Sequence, residues 1–116
     1  MSAQPLEQIM DRVATETRGI FGISLQALIL FGSYARQEAD AESDMDIMLL
    51  LDLPREEIPS YRRAVAEISA RILYEYGVVI SPILENVEFF ERNRELYPFF
   101  RNVYQEGIWY ALTNRH

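Results

Sequence analysis

Two runs along the chain are too densely apolar for a surface helix. Leu25, Ala27, Leu28, Ile29, Leu30 and Phe31 form the first, and Ile47, Met48, Leu49, Leu50 and Leu51 form the second. Neither shows apolar positions at helical spacing, so each reads as a buried strand. Gly32 and Ser33 break the first run. Ser33 suits the N-cap of a short segment over 34–37, whose backbone amides would point outward as an anion site. A connection over 38–43, rich in small and acidic residues, leads to Asp44 and Asp46 at the head of the second run. Residues two apart in a strand share a face, with Cα atoms ~7 Å apart, which predicts that the two carboxylates point the same way.

Around this pair, apolar positions recur at helical intervals. Leu6, Ile9, Met10, Val13 and Thr17 predict an amphipathic helix over 5–18, ended by Gly19 and Gly22, with Ile20, Phe21 and Ile23 bridging into the first strand. Residues 52–57 read as a turn, because Pro54 and Pro59 suit a loop or a first helical turn better than an element's interior. Tyr61, Val65, Ile68, Ile72 and Tyr76 define the clearest helix, over 60–76. Gly77 is its expected C-cap, and Arg62, Arg63, Glu67 and Arg71 form a solvated polar face. Residues 78–84 read as a third strand.

Beyond Asn86 the chain reads as helical over 87–94 and over 98–105, up to Gly107. Eight of the fourteen aromatic residues fall between Phe89 and Tyr110, and packing against the sheet is their expected role. Phe89 and Phe90 are adjacent, as are Phe99 and Phe100, and neighbours on a helix cannot both face inward. Some aromatic surface should therefore stay exposed. Such patches mark interfaces, so a homodimer or a docked partner is expected here.

Composition narrows the class. The 116 residues suit one domain spanning 1–116, and 49% apolar with 25% charged residues is the balance of a globular protein. No stretch has the apolar length of a membrane span, and the N-terminus lacks the basic start and apolar middle of a signal peptide, so cytoplasmic residence is expected. The absence of cysteine excludes disulfides and thiolate metal sites. A formal charge of -7 argues against nonspecific binding to a nucleic-acid backbone. His116, the only histidine, is terminal and expected to fray.

The chemistry lies in the acidic pair. Two carboxylates at the open end of a sheet beside a Gly-Ser turn are what a divalent metal and a nucleoside triphosphate require. Mg²⁺ takes one or two carboxylates plus phosphate oxygens rather than an all-protein cage. Two such ions about 4 Å apart can hold the attacking and leaving oxygens of an in-line displacement. Ser33 has no histidine nearby in sequence to serve as its base, so phosphate binding is preferred over nucleophilic catalysis.

The order of apolar strand, Gly32-Ser33, ten residues, Asp44-x-Asp46 and apolar strand resembles the signature of the minimal nucleotidyltransferases of the DNA polymerase beta superfamily. The resemblance implies an α/β (α+β) core, a small mixed sheet flanked by helices. It assigns Mg²⁺ to Asp44 and Asp46, and the phosphates of ATP or another NTP to Gly32, Ser33 and Arg36. Gln37 stands where a glycine is common in the family, which would stiffen the turn. The third carboxylate common on the following strand is missing, and Ser81 stands in that region. Glu85 shares its face but lies ~13 Å along a strand. The implied activity is transfer of a nucleoside monophosphate to an acceptor hydroxyl, with release of pyrophosphate. The implied setting is a toxin-antitoxin pair with a HEPN-type toxin as acceptor or partner. The alternative is a non-catalytic binding module that neutralises a partner by docking.

Overall fold

The computed structural model describes residues 6–40, 42–110 and 112. The elements run α1 (Leu6–Phe21), β1 (Leu25–Phe31), β2 (Met45–Leu51), α2 (Arg62–Tyr76), β3 (Ile80–Asn86), α3 (Val87–Asn93), α4 (Pro98–Glu106) and β4 (Ile108–Tyr110). The strands form one sheet in the order β3-β2-β1-β4. β1 pairs antiparallel with β2 and with β4, and β2 pairs parallel with β3, so the sheet is mixed.

Both central strands are apolar throughout because both of their faces are covered. Leu28, Leu30, Ile47 and Leu49 pack with Ile9, Val13, Ile68 and Ile72 of α1 and α2. Ala27, Ile29, Met48 and Leu50 pack with Phe90, Phe100 and Val103 of α3 and α4. Gln26 interrupts the first run without polar burial: a register shift between Leu25 and Ala27 leaves it exposed, and its side-chain amide donates to the Ile23 carbonyl (2.9 Å).

Several boundaries differ from the sequence reading. α1 runs through Gly19 and stops at Phe21, because an exposed glycine lowers helix propensity without removing a hydrogen bond. A 3₁₀ segment, Arg55–Tyr61, replaces the second half of the expected turn and the first residues of the expected helix, so α2 starts at Arg62. Gly77 caps α2 as expected, in the left-handed conformation (φ 71°). β3 lies two residues further along, and Asn86 at its end caps α3 through its side-chain oxygen, which accepts from the Phe89 amide (2.6 Å). Residue 5 and His116 lie outside the described residues.

β4 is an element that the apolar pattern did not announce. It follows α4 directly because Gly107 packs against β1: a Cβ there would collide with the Ile29 side chain and the Val103 carbonyl. Only a residue without a side chain lets the backbone turn from the end of α4 into the edge of the sheet.

Candidate active site

The C-terminal end of β1 and the N-terminal ends of β2 and β3 meet at one edge of the molecule. Phe31 pairs with Asp46, and Asp46 pairs with Ser81 across the parallel ladder. Gly32 leaves β1 with φ 77°, and a Cβ on it would collide with the Asp46 carboxylate, whose Cγ lies 3.2 Å from that position. Glycine is thus required twice, for the backbone angle and for the space. The turn is fastened by backbone bonds from Arg36 N to Gly32 O (3.1 Å), Gln37 N to Tyr34 O (3.2 Å) and Glu38 N to Ser33 O (2.8 Å).

The turn departs from the expected helical segment. Residues 32–37 form successive turns, so Ser33 caps no helix there. Among the described residues, the amides of Ser33, Tyr34 and Ala35 take no backbone or side-chain acceptor. Three consecutive amides without a protein acceptor are donors free for an anion. Gln37 closes the turn with φ 60°, a left-handed angle rare outside glycine.

Asp46 is half-buried and Asp44 is exposed. Burial raises the Asp46 pKa above the ordinary carboxylate value, the Asp44 carboxylate raises it further, and Arg36 draws it partly back. The two acids are therefore close enough to repel, and both sit near the Gly32 turn. Strand alternation does not by itself place Asp44, because β2 begins at Met45. Arg36 bonds Glu38 (3.0 Å) and reaches Glu106 at the end of α4 (3.8 Å).

Ser81, opposite Asp46, brings no carboxylate. Glu85 is no substitute. It is buried opposite Leu50, where it accepts from Arg55 Nε (3.1 Å) and from the Asn86 amide (2.9 Å). Arg55 in turn stacks on the Phe89 ring, 3.7 Å from its centroid. Among the described residues no group of three or more His, Cys, Asp or Glu gathers as a metal site. Two carboxylates suffice for a Mg²⁺ ion that arrives with phosphate oxygens, and their mutual repulsion is what a cation relieves. The donor set thus fits a substrate-borne divalent ion.

Sequence reasoning missed Glu106 and Tyr34. Glu106 meets Arg36 only because α4 folds back over β1, which no local spacing reveals. Tyr34 packs against the core on the α1/α2 face, a position set by the turn's closure.

Paired carboxylates beside the Gly32 turn, on a mixed sheet with helices on both faces, place the candidate chemistry of this α/β core where β1 ends and β2 begins. Comparison with known proteins makes the class specific. The family model described as the nucleotidyltransferase domain matches residues 10–103, and the chain belongs to that family. Three proteins of Methanocaldococcus jannaschii, each named "putative protein adenylyltransferase", are similar to it. One is 32% identical over 102 residues, covering 88% of this chain and 90% of that protein. A second is 36% identical over 85 residues, covering 72% of this chain and 57% of that protein. A third is 39% identical over 79 residues, covering 66% of this chain and 76% of that protein. The protein is a nucleotidyltransferase of α/β architecture, and no helix among its described residues is long and apolar enough to cross a membrane.

Proposed function

We propose that this nucleotidyltransferase moves adenosine monophosphate from ATP to a hydroxyl group of a partner protein. The acidic pair Asp44 and Asp46 holds Mg²⁺, and Gly32, Ser33 and Arg36 hold the phosphates. The observation that carries this reading is the contact between Gly32 and the Asp46 carboxylate, which sets a charged group of raised pKa beside three unpaired amides. The names of the archaeal relatives support the adenylyl donor and the protein acceptor.

The acceptor oxygen attacks the α-phosphorus, and a new P–O bond forms as the bond to the β-phosphate's bridging oxygen breaks. Pyrophosphate leaves with that electron pair, and the hydroxyl proton passes to water. When bound, the divalent cation neutralises phosphate charge that the protein's own acids would otherwise repel. The chain supplies position: the turn amides and Arg36 fix the phosphates, and Gly32 fixes Asp46. Catalysis of this kind rests on positioning and electrostatics rather than on covalent chemistry by the protein.

The acceptor that the family resemblance implies is a HEPN-type toxin, and the exposed aromatic face of α4 and β4 is where such a partner, or a second copy of this chain, docks. The test is incubation with labelled ATP, Mg²⁺ and a candidate HEPN-type protein, beside Asp44→Asn and Asp46→Asn variants. Label on the partner that disappears in both variants is the expected result. Label that persists in the variants removes the metal role. ATP binding and partner binding without transfer would favour the docking-module reading, which the presence of Ser81 opposite Asp46 supports.

A further inference from the structure

The phosphate turn shares a residue with a groove of about 570 Å³, a volume within the roughly 300–1,000 Å³ of ligand-binding clefts. Tyr34, whose backbone amide is one of the three free donors of the turn, also lines the groove. Asp44 stands at its rim, so the acid assigned to the metal touches the same space. The groove therefore opens directly off the place where the triphosphate is held.

The chain builds it by ending α2 beside the start of β2. Gly77 turns the backbone in the left-handed conformation, and a Cβ there would meet nothing within 4 Å, so the bend faces open space. Two residues on, the Val79 carbonyl accepts from the Met45 amide (2.9 Å), which pins Val79 next to Asp44. Tyr76 and Val79 thus flank the bend as walls, and Ile9 of α1, 2% exposed, closes the bottom. Val79 itself is 44% exposed, an apolar side chain left uncovered beside the acidic pair.

The lining separates what can enter from what cannot. Tyr34 and Tyr76 offer aromatic surface, and Ile9 and Val79 offer aliphatic surface. Among the described residues that line the groove, the charged ones are Glu42 and Asp44, and a carboxylate only accepts hydrogen bonds. Such a rim repels phosphate oxygens but not the uncharged part of a nucleotide. A nucleobase brings flat faces that stack on aromatic rings, and its amino group and the ribose hydroxyls bring donors for Glu42. The turn amides, Arg36 and the metal hold the charged end outside, and the uncharged end goes in.

We propose that the groove receives the nucleoside end of the triphosphate, a purine base against Tyr34, Tyr76 and Val79 with its donors toward Glu42. This rests on the ATP reading above and adds to it the site that selects the base. A purine covers more of the walls than a pyrimidine, so the groove favours ATP over UTP. Inorganic tripolyphosphate has no nucleoside and reads the phosphate site alone, which lets the test separate the two. Binding of ATP, UTP and tripolyphosphate, each with Mg²⁺, and of adenosine is measured by isothermal titration calorimetry.

The parent should bind ATP at least about threefold more tightly than UTP. Val79→Trp, which fills the groove, should weaken ATP at least about tenfold and leave tripolyphosphate unchanged. Tyr76→Leu, which removes a ring without filling the groove, should weaken ATP by roughly fivefold or more, again with tripolyphosphate unchanged. Equal affinity of the parent for ATP and UTP overturns the proposal. So does parental ATP affinity in both variants, or a variant that weakens tripolyphosphate as much as ATP. Each of these outcomes leaves the transfer reading to stand or fall on the Asp44 and Asp46 variants. Adenosine that binds the parent but not Val79→Trp, when Mg²⁺ confers no affinity for ATP or tripolyphosphate, keeps the groove and defeats the metal and phosphate assignment.

Discussion

At Gln37 the backbone angle of φ 60° explains why a glycine suits this position in the family. A side chain in the left-handed region costs roughly 1–2 kcal/mol, and a glycine there regains this while losing about 0.4–1 kcal/mol through a more flexible unfolded chain. Gln37→Gly should therefore be more stable by roughly 0.5 kcal/mol, a rise in melting temperature of about 2 °C by calorimetry. Gly32→Ala should behave oppositely. Its Cβ must displace the Asp46 carboxylate as well as strain the backbone, so AMP transfer should fall at least about 100-fold, as expected when a positioned group moves by about 1 Å. Asp46 itself makes a pH prediction. Its folded pKa is raised, so between the ordinary carboxylate value and the raised one the folded state holds a proton that the unfolded state has released. Stability from this group is present below that window and is lost as pH rises through it. With a chelator present, Asp46→Asn should melt above the parent at neutral pH, and the two should converge in acid. Equal melting temperatures at neutral pH would remove burial and Asp44 repulsion as real strains on the site.

Between elements, charge works in the other direction. Glu16 accepts from Arg71 (2.7 Å) and Arg12 (2.7 Å), and Arg12 also pairs with Glu75, tying α1 to α2. Hydrogen bonds from Arg71 and then Arg12 hold the Glu16 pKa below the usual value, and Arg12 does the same for Glu75. These groups stabilise the fold above the ordinary carboxylate range and cease to do so as pH falls through their lowered values. Arg71 and Glu75 are exposed, so salt screens their pairs, while Glu16 and Arg12 are partly covered. Arg71→Gln should lower the melting temperature in dilute buffer, and molar salt should shrink the difference; a salt-independent loss would mean that Arg71 acts through packing instead. The same scale shows what a sequence reveals. β1, β2 and the Gly32-Ser33 break were legible because local burial and chain reversal leave local signals. β4 was not, because Ile108, Trp109 and Tyr110 become a strand only by pairing with Leu30, Ile29 and Leu28, far upstream. Nor was the fate of Glu85 legible, because its partner Arg55 lies in a different element.

Across the molecule, the C-terminal aromatics divide between packing and exposure. Phe90 and Phe100 are buried against β1 and β2, whereas Phe99, Tyr97, Tyr104 and Trp109 are each 40% exposed or more. Phe99 turns outward beside the buried Phe100, as the sequence leads one to expect, but Phe89 is half-buried against the same cluster as its neighbour Phe90. Leu96, next to Tyr97, is 70% exposed, whereas Ile108, 48% exposed, lies on the other face of β4 from Trp109, the face of its partner Leu30. Solvating that much apolar area is unfavourable, and a specific partner must bury about 1,200 Å² or more in total to be stable. A Phe99→Glu, Trp109→Glu double variant places two charges where neither parent side chain is in the core, so the fold should survive, with an unchanged circular dichroism spectrum. In sedimentation velocity across a wide concentration range, the parent should show self-association or hold the HEPN-type partner proposed for it, and the double variant should run as a monomer that has lost it. A parent that is monomeric throughout, and whose partner binding is indifferent to both substitutions, would return this face to the role of ordinary surface.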